Sequence, residues 1–288
     1  MNSTKVVIIG AKGNLGQELV GVFGDDSKYQ VIGWDREEID ITNKRRVEEK
    51  ISGLSPRILI NAAAHNAVDK CEEPAEFEIA KKINGEAVGF LAGAAKKIGA
   101  VMVHYSTDYV FDGENKDGYK EDDKPNPISR YAESKLLGER RLQEGANEFY
   151  LIRLSRLFGR PGSSALSKES FVDAMLRMAR GKDELKIVDE EASCFTYAPD
   201  LARATKNIIE TKVPFGIYHQ FNKGAYTWYE AAVKIFKEAG LKTKVIPVPA
   251  ERFPRPAKRP KYSILLNTKL PPLRFFEEAL GEYLEKYK

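Results

Sequence analysis

Short segments rich in valine and isoleucine alternate with longer helical patterns through the first half of the chain. The five apolar segments with a strand pattern lie at 5–9, 29–34, 57–60, 101–106 and 148–153. Neighbouring parallel strands need a long crossover connection, which is usually a helix. We therefore predict an α/β fold of βαβ units, in which the strands form a doubly wound parallel sheet.

The second half of the chain is less regular, with helical patterns separated by short strands and by a proline-rich stretch at 253–260. We expect it to form a smaller lobe packed on the sheet. In this division the first domain is 1–154 with 185–212 returning to it, and the smaller lobe is 155–184 and 213–288. Within the first domain we predict one long helix over 72–99 and another that begins at Pro127.

The composition indicates an ordinary globular protein. Its 46 basic and 42 acidic residues give a net charge of +4 and are interspersed, which does not favour nucleic-acid binding. Cys71 and Cys194 form no CxxC pattern, so we expect a reducing, cytoplasmic compartment and predict no metal ligands. We find no signal-peptide pattern and no apolar run long enough to cross a membrane, and expect no membrane association.

Three glycines, Gly10, Gly13 and Gly16, follow the first predicted strand at intervals of three residues. Glycines at a strand-to-helix turn let the backbone approach a pyrophosphate, which binds the N–H groups at the helix N-terminus. The GxxGxxG spacing differs from the GxGxxG fingerprint, and a purely structural turn is the alternative. The position between a strand and a helix favours a Rossmann-type dinucleotide site.

Asp35 and Arg36 end the second predicted strand, downstream of Gly16. An acidic residue at this point accepts hydrogen bonds from an adenosine ribose, which favours NADH. An arginine beside it can pair with a 2′-phosphate, which favours NADPH. The sequence therefore predicts a nicotinamide cofactor and leaves the choice between NADH and NADPH open.

Tyr131 and Lys135 are four residues apart in a helical pattern, so their side chains project from one face. An ammonium group beside a phenol favours the phenolate and brings the tyrosine closer to acid–base work. Thr107 lies at the end of the fourth predicted strand, at the edge where doubly wound sheets bind ligands. We predict that Tyr131 donates a proton, Lys135 lowers its pKa, and Thr107 hydrogen-bonds a substrate carbonyl.

Four segments resemble the extended short-chain dehydrogenases/reductases, and most closely the dTDP-4-dehydrorhamnose reductase family. They are 61–72 (NAAAHNAVDKCE), 104–113 (HYSTDYVFDG), 131–135 (YAESK) and 259–270 (RPKYSILLNTKL). The resemblance covers nearly the whole chain. It implies a C-terminal substrate-binding lobe and NAD(P)H-dependent reduction of the 4-keto group of a nucleotide-linked 6-deoxy sugar, as in the conversion of dTDP-4-dehydrorhamnose to dTDP-rhamnose.

The resemblance also implies contacts at individual positions. Besides the glycine turn, Asp35, Arg36 and the Tyr131–Lys135 pair, the implied cofactor contacts are Asn14, Leu15, Asp40, Ile41, Ala62, Ala63, Ala64 and Tyr105. The implied substrate contacts are Val68, Thr107, Asp108, Arg156 and Arg259. Magnesium and a homodimer occur in the family, but no residue of this sequence is assigned to either.

Some positions separate this chain from its relatives. Related 4,6-dehydratases carry a glutamate where Tyr109 follows Asp108, and its absence favours reduction without elimination. Arg156 occupies the position of a family tryptophan that packs on the sugar, and 189–196 lacks a family glycine and proline. These two departures lie in the predicted substrate half, so the sequence supports a reductase more strongly than it supports a particular sugar.

Two other functions remain open from the sequence. One is a non-catalytic, NADP-binding regulatory subunit similar to the β subunit of methionine adenosyltransferase. The other is a sugar-nucleotide epimerase or related reductase, and an epimerase would retain bound NAD through purification.

Overall fold

The computed structural model describes residues 3–164 and 167–287, and a six-stranded parallel sheet lies at its centre. Its strands are β1 (Thr4–Ile9), β2 (Tyr29–Trp34), β3 (Ile58–Asn61), β4 (Val101–Thr107), β5 (Phe149–Leu154) and β9 (Gly216–His219). They are ordered β2-β1-β3-β4-β5-β9. The predicted α/β fold with a doubly wound parallel sheet is confirmed.

Helices cover both faces of this sheet and bury its apolar side chains. One face packs against α1 (Asn14–Gly24) and α7 (Ala198–Thr211). The other packs against α2 (Lys44–Leu54), α4 (Ala87–Ile98) and α5 (Arg130–Gly145). Because both faces are covered, the strands read as continuous apolar runs and not as alternating patterns.

The remaining elements form a smaller lobe around an aromatic core, in which the ring centroids of Phe195 and Phe276 lie 4.6 Å apart. Its helices are α6 (Phe171–Ala179), α8 (Trp228–Glu238) and α9 (Phe276–Tyr287). Its strands are β6 (Leu157–Phe158), β7 (Glu184–Val188), β8 (Ser193–Tyr197), β10 (Asn222–Tyr226) and β11 (Lys244–Val248). They form two small sheets, β10-β8-β6 and β11-β7.

The division into two domains stays a prediction, but three strands lie elsewhere than we expected. β9 falls within 213–288, yet it pairs in parallel with β5 in the large sheet. β7 lies within 185–212 except for Glu184, yet it pairs with β11 in the smaller lobe. β8 lies wholly within 185–212, yet it pairs with β10 and β6 in that lobe. Of the returning segment, α7 reaches the large sheet, where Ala198, Leu201 and Ile208 join the core against α1.

Two helices also differ from the prediction. The expected helix over 72–99 is divided into α3 (Pro74–Ala80), a π-helical turn at Lys81–Glu86, and α4. α5 begins at Arg130 and not at Pro127, because Ser129 caps it by accepting a hydrogen bond from the Ala132 N–H. The π-helical turn lies against α5, close to the catalytic candidates.

Candidate active site

The glycine turn lies at the carboxyl end of β1, against the segment that follows β3. Gly10 has a φ of +78°, and a Cβ on it would lie 2.7 Å from the backbone nitrogen of Ala63. A Cβ on Gly16 would lie 1.9 Å from the carbonyl oxygen of Gly10. Both positions therefore require glycine, and the turn packs directly against the 62–64 segment.

α1 begins immediately after this turn without a side-chain cap. Gly13 is its N-cap residue, and Asn14, Leu15 and Gly16 form its first turn. The first N–H groups of a helix have no acceptor within the helix, so an anion fits at this end. Leu15 packs into the core, which leaves its backbone to face a ligand. The turn thus fits the pyrophosphate of a dinucleotide.

The residues at the end of β2 leave the choice between NADH and NADPH open. The Asp35 carboxylate accepts hydrogen bonds from the backbone N–H groups of Lys12 at 3.1 Å and Arg36 at 2.9 Å. Arg36 is exposed and lines a cavity of about 350 Å³ together with Glu37, Glu38, Ile39, Asp40, Arg46 and Lys50. Ile41 is buried in the core, so its side chain lies away from this cavity.

Tyr131 and Lys135 are both buried on α5, at the carboxyl end of β4. The Lys135 Nζ donates to the carbonyl oxygen of Tyr105 at 2.7 Å, and the Tyr131 hydroxyl donates to Asn66 Oδ1 at 3.4 Å. Burial lowers the pKa of Lys135 to about 8. The pair therefore lies where the sequence predicted, in a setting that disfavours charge.

The electrostatics of Tyr131 differ from our expectation. Burial, followed by the negative charge of Asp108, raises the pKa of the Tyr131 phenol above its usual value of 10. We expected Lys135 to lower this pKa, but burial raises it, and Lys135 is not among the groups that shift it most. A phenol that stays protonated is suited to donate a proton.

Thr107 ends β4, and its hydroxyl is close enough to the Tyr131 phenol to oppose, in part, the rise in the pKa of Tyr131. Asp108 follows it, is 2% exposed, and accepts hydrogen bonds from Thr107 and from Ser193 and Ser263. Its carboxylate therefore faces the protein's own hydroxyl groups, which does not fit the direct substrate contact that the resemblance implied.

Tyr105 likewise differs from the implied cofactor contact. Its ring packs in the core between the sheet and α7, and its hydroxyl lies 2.8 Å from Thr205 Oγ1. Only its backbone carbonyl reaches the site, where it accepts the hydrogen bond from Lys135.

Two of the predicted substrate contacts lie near Tyr131, one directly and one through Tyr109. Val68 packs in a small cluster with Tyr131 and Tyr109. Arg259 Nη2 donates to both carboxylate oxygens of Asp69 at 2.9 Å, and its guanidinium carbon lies 6.0 Å from the Tyr109 ring centroid. The segment after β3 and the segment before α9 therefore meet beside the catalytic candidates.

Comparisons with known proteins agree with this geometry. A family model described as "RmlD substrate binding domain" matches residues 4–288. A crystal structure of a dTDP-4-dehydrorhamnose reductase from Clostridium acetobutylicum ATCC 824 is 39% identical, with a TM-score of 0.92 over 98% of this chain and 99% of that chain. The chain belongs to the dTDP-4-dehydrorhamnose reductase family.

Two further proteins are similar to this chain over almost their whole length. A dTDP-4-dehydrorhamnose reductase from Bacillus anthracis str. Ames, solved in complex with NADP, is 33% identical, with a TM-score of 0.92 over 99% of this chain and all of that chain. The spore coat polysaccharide biosynthesis protein SpsK of Bacillus subtilis (strain 168) is 37% identical over 98% of both chains.

Arg156, which replaces a tryptophan of the reductase family, is held by the small lobe itself. Its φ is +40°, and its two Nη groups donate to the carbonyl oxygens of Tyr226 and Glu191 at 2.8 Å. Its guanidinium carbon lies 3.6 Å from the Trp228 ring centroid. An aromatic ring from α8 therefore packs on the arginine, and contact of Arg156 with a sugar stays a prediction.

Several polar residues of the site were not singled out from the sequence. Asn66 accepts the hydrogen bond from Tyr131. Asn84, on the π-helical turn, accepts from the His65 N–H at 2.7 Å and donates to Ser134 Oγ on α5 at 2.9 Å. Ser193 and Ser263 bind Asp108. Ser263 lies in a segment that carried the resemblance, but no local pattern reveals which carboxylate it meets.

Residues 3–164 and 167–287 contain neither a membrane-spanning helix nor a cluster of metal ligands. No helix in this part of the chain is long and apolar enough to cross a membrane. No group of three or more His, Cys, Asp or Glu side chains there is arranged to hold a metal ion. Magnesium, which the reductase family suggested, is therefore not supported.

Proposed function

We propose that this chain catalyses the NAD(P)H-dependent reduction of the 4-keto group of dTDP-4-dehydrorhamnose, giving dTDP-rhamnose. The observation that carries the proposal is the convergence of Tyr131, Lys135 and Thr107 at the carboxyl end of β4. These side chains lie beside a dinucleotide turn in a chain that the family model matches from residue 4 to residue 288.

The cofactor binds across the carboxyl edge of the sheet. The glycine turn and the first N–H groups of α1 hold its pyrophosphate, and Asp35 and Arg36 lie at the adenosine end. Nicotinamide supplies the hydride when it is bound. The relative solved with NADP favours NADPH, and the exposed Arg36 could pair with a 2′-phosphate. Asp35, which could accept hydrogen bonds from a ribose, leaves NADH as an alternative.

Tyr131 donates its proton to the C4 oxygen of the sugar as negative charge develops there. Its raised pKa keeps the phenol protonated until that point. Lys135, fixed by the Tyr105 carbonyl, holds the nicotinamide ribose and supplies a positive charge near the phenolate that forms. Groups that are already oriented toward the developing charge need no rearrangement in the transition state. This preorganisation is the main source of the rate enhancement.

The substrate is held on the other side of Tyr131. Val68 packs against Tyr131, and Arg259 lies beside the neighbouring Tyr109 ring and is paired with Asp69. A guanidinium group there suits the diphosphate of a nucleotide sugar. A magnesium ion and a homodimer form no part of this proposal.

The test is consumption of NADPH and of NADH by the purified protein, measured spectrophotometrically with dTDP-4-dehydrorhamnose and with UDP-linked sugars as controls. We expect oxidation that depends on the dTDP-4-keto sugar. Absence of turnover with any keto sugar, together with co-purification of a synthetase, would favour a regulatory subunit. A cofactor that stays bound through purification, with no net NADPH oxidation, would favour an epimerase.

A further inference from the structure

Tyr109 lies beside the proton donor, directly after the strand that carries Thr107. It is the middle residue of a short 3₁₀ helix, Asp108–Val110, and its N–H donates to Thr107 Oγ1 at 3.2 Å. Asp108 is 2% exposed and Val110 is fully buried, so the backbone is fixed on both sides of Tyr109. The edge of the sheet therefore holds this tyrosine on a rigid element.

The Tyr109 ring lies between Tyr131 and the segment that contains Arg259. Its centroid is 6.3 Å from the Tyr131 ring centroid, and the two rings are nearly perpendicular at 85°. The Arg259 guanidinium carbon lies 6.0 Å from the Tyr109 ring centroid. Val68 packs in the same cluster as both tyrosines. The ring therefore occupies the side of the site on which the proposed function places the sugar nucleotide.

Among the described residues, no group hydrogen-bonds to the Tyr109 hydroxyl. Other polar groups near it are already engaged: Arg259 donates to both carboxylate oxygens of Asp69, and the Nη groups of Arg156 donate to backbone carbonyl oxygens. Burial is the largest cause that raises the pKa of Tyr109 to about 12, so the phenol is protonated at neutral pH. A phenol hydroxyl both donates and accepts, and this one is available to a ligand.

The chemistry of the proposed substrate indicates which ligand group this hydroxyl meets. Of the two ring carbons next to C4 of a 6-deoxy sugar, C3 carries a hydroxyl and C5 carries a methyl group. A hydroxyl group beside Tyr131 can therefore bind at C3 while Tyr131 reaches the C4 oxygen. With the diphosphate on C1 facing Arg259, the sugar has three contacts, and three contacts determine which face of the ring is turned to the cofactor.

We propose that Tyr109 is a specificity-determining residue, whose hydroxyl binds the C3 hydroxyl of the keto sugar and so selects the face of C4 that receives the hydride. The inference rests on the proposed function, in which Tyr131 protonates the C4 oxygen. Tyr109 exchanges no proton with the sugar. It orients the ring, and it favours sugars that carry a hydroxyl at C3 over sugars that do not.

The main experiment is Tyr109→Phe, which removes the hydroxyl and keeps the ring beside Tyr131 and Arg259. A site that has lost a hydrogen bond to its substrate turns it over less efficiently, so kcat/KM for dTDP-4-dehydrorhamnose should fall by about tenfold. NMR of the product should show the C4 epimer beside dTDP-rhamnose. An unchanged kcat/KM would overturn the inference, and a single C4 configuration in the product would overturn the selection of a face.

A substrate analogue without the C3 hydroxyl tests the contact from the other side. The wild type should lose about tenfold in kcat/KM on this 3-deoxy analogue, whereas Tyr109→Phe should treat the two sugars alike within about twofold. Both changes remove the same hydrogen bond, so their effects should not add. Additive losses would overturn the inference, as would equal rates of the wild type on both sugars, which can be measured even if Tyr109→Phe does not fold.

Tyr229→Phe is the matched control. Tyr229 lies on α8 and packs against the core of the smaller lobe, and its hydroxyl likewise has no hydrogen-bond partner within the described ranges. We expect this variant to discriminate between the two sugars as the wild type does. The same loss of discrimination in Tyr229→Phe would mean that the effect is not specific to Tyr109, and would overturn the inference.

A binding measurement separates this inference from the proposed function, because it needs no turnover. Calorimetric titration in the presence of NADP⁺ compares dTDP-rhamnose, which retains the C3 hydroxyl, with dTDP. Tyr109→Phe should bind dTDP-rhamnose about tenfold more weakly than the wild type and dTDP equally well, even if no keto sugar is reduced. Equal affinities of the two proteins for dTDP-rhamnose would overturn the inference while leaving the reductase proposal standing.

Discussion

The two halves of the site are built by different kinds of interaction. On the cofactor side, parallel strands end side by side, and glycines bring backbone segments into contact. On the substrate side, side chains from distant segments meet, as in the Arg259–Asp69 and Ser263–Asp108 contacts. The first kind of interaction depends on local sequence, and the second depends on where the lobes pack. The residues of the cofactor side can therefore be predicted from the sequence more directly than the contacts that select the substrate.

The largest effect should come from the proton donor. Tyr131→Phe removes the hydroxyl that protonates the sugar oxygen but keeps the buried ring, so kcat should fall by about 10²–10⁴-fold. KM should change little, because the ring contacts remain. Steady-state NADPH oxidation checks this, with Tyr229→Phe on α8 as a control that should keep wild-type rates. Retained turnover in Tyr131→Phe would contradict the assignment of Tyr131 as the proton donor.

This prediction concerns the cofactor and catalytic side of the site, which could largely be predicted from the sequence. The strand–glycine–helix unit and the Tyr131–Lys135 spacing are local patterns, and the structure places both at one edge of the sheet. The π-helical turn at Lys81–Glu86 was missed because its stabilising contacts come from Ser134 and His65, far away in the chain. Likewise, the pairing of β9 with β5 was not predicted, because nothing local to β9 indicates it.

The next effect tests the close packing of the glycine turn. Gly16→Ala places a Cβ against the Gly10 carbonyl, so the free energy of unfolding should fall by about 1–3 kcal/mol. The displaced turn should also lower NADPH affinity by about tenfold or more. Calorimetric titration and thermal unfolding measure both. Gly21→Ala, on the same helix with no atom within 4 Å of its Cβ, should be neutral or slightly stabilising. Equal effects of the two variants would contradict the steric argument.

A smaller effect is expected on the substrate side. Arg259→Leu removes the cation that joins the two segments beside Tyr131, so KM for the nucleotide sugar should rise by about tenfold while kcat changes less. Exposed Arg252 lies immediately before the proline-rich stretch that contains Arg259, and Arg252→Ala is the control for general loss of charge. A fall in kcat alone would mean that Arg259 orients the catalytic groups and not the sugar.

The smallest effect concerns the free energy of unfolding that the protein loses by burying the Lys135 ammonium group. Its pKa is lowered to about 8 by burial, so between about pH 8 and pH 10.5 the unfolded chain binds more protons than the folded one. Stability from this group therefore rises with pH across that window. Lys135→Met should be inactive yet as stable as the wild type near pH 7, or about 1 kcal/mol more stable, since the lost hydrogen bond to Tyr105 offsets part of the gain.

Urea unfolding at a series of pH values measures this difference. The advantage of Lys135→Met over the wild type should diminish as the pH rises from about 8 to about 10.5. An advantage that does not depend on pH would mean that burial of the charge is not its cause.

The central claim is hydride transfer to C4 of a dTDP-linked keto sugar with Tyr131 as the proton donor. The most direct measurement incubates the protein with dTDP-4-dehydrorhamnose and NADPH carrying deuterium at the transferable position, and locates the label in the product by NMR. We predict dTDP-rhamnose with deuterium at C4 and one NADPH consumed per sugar. Recovery of the unreduced sugar, or of a product without deuterium at C4, would contradict the claim.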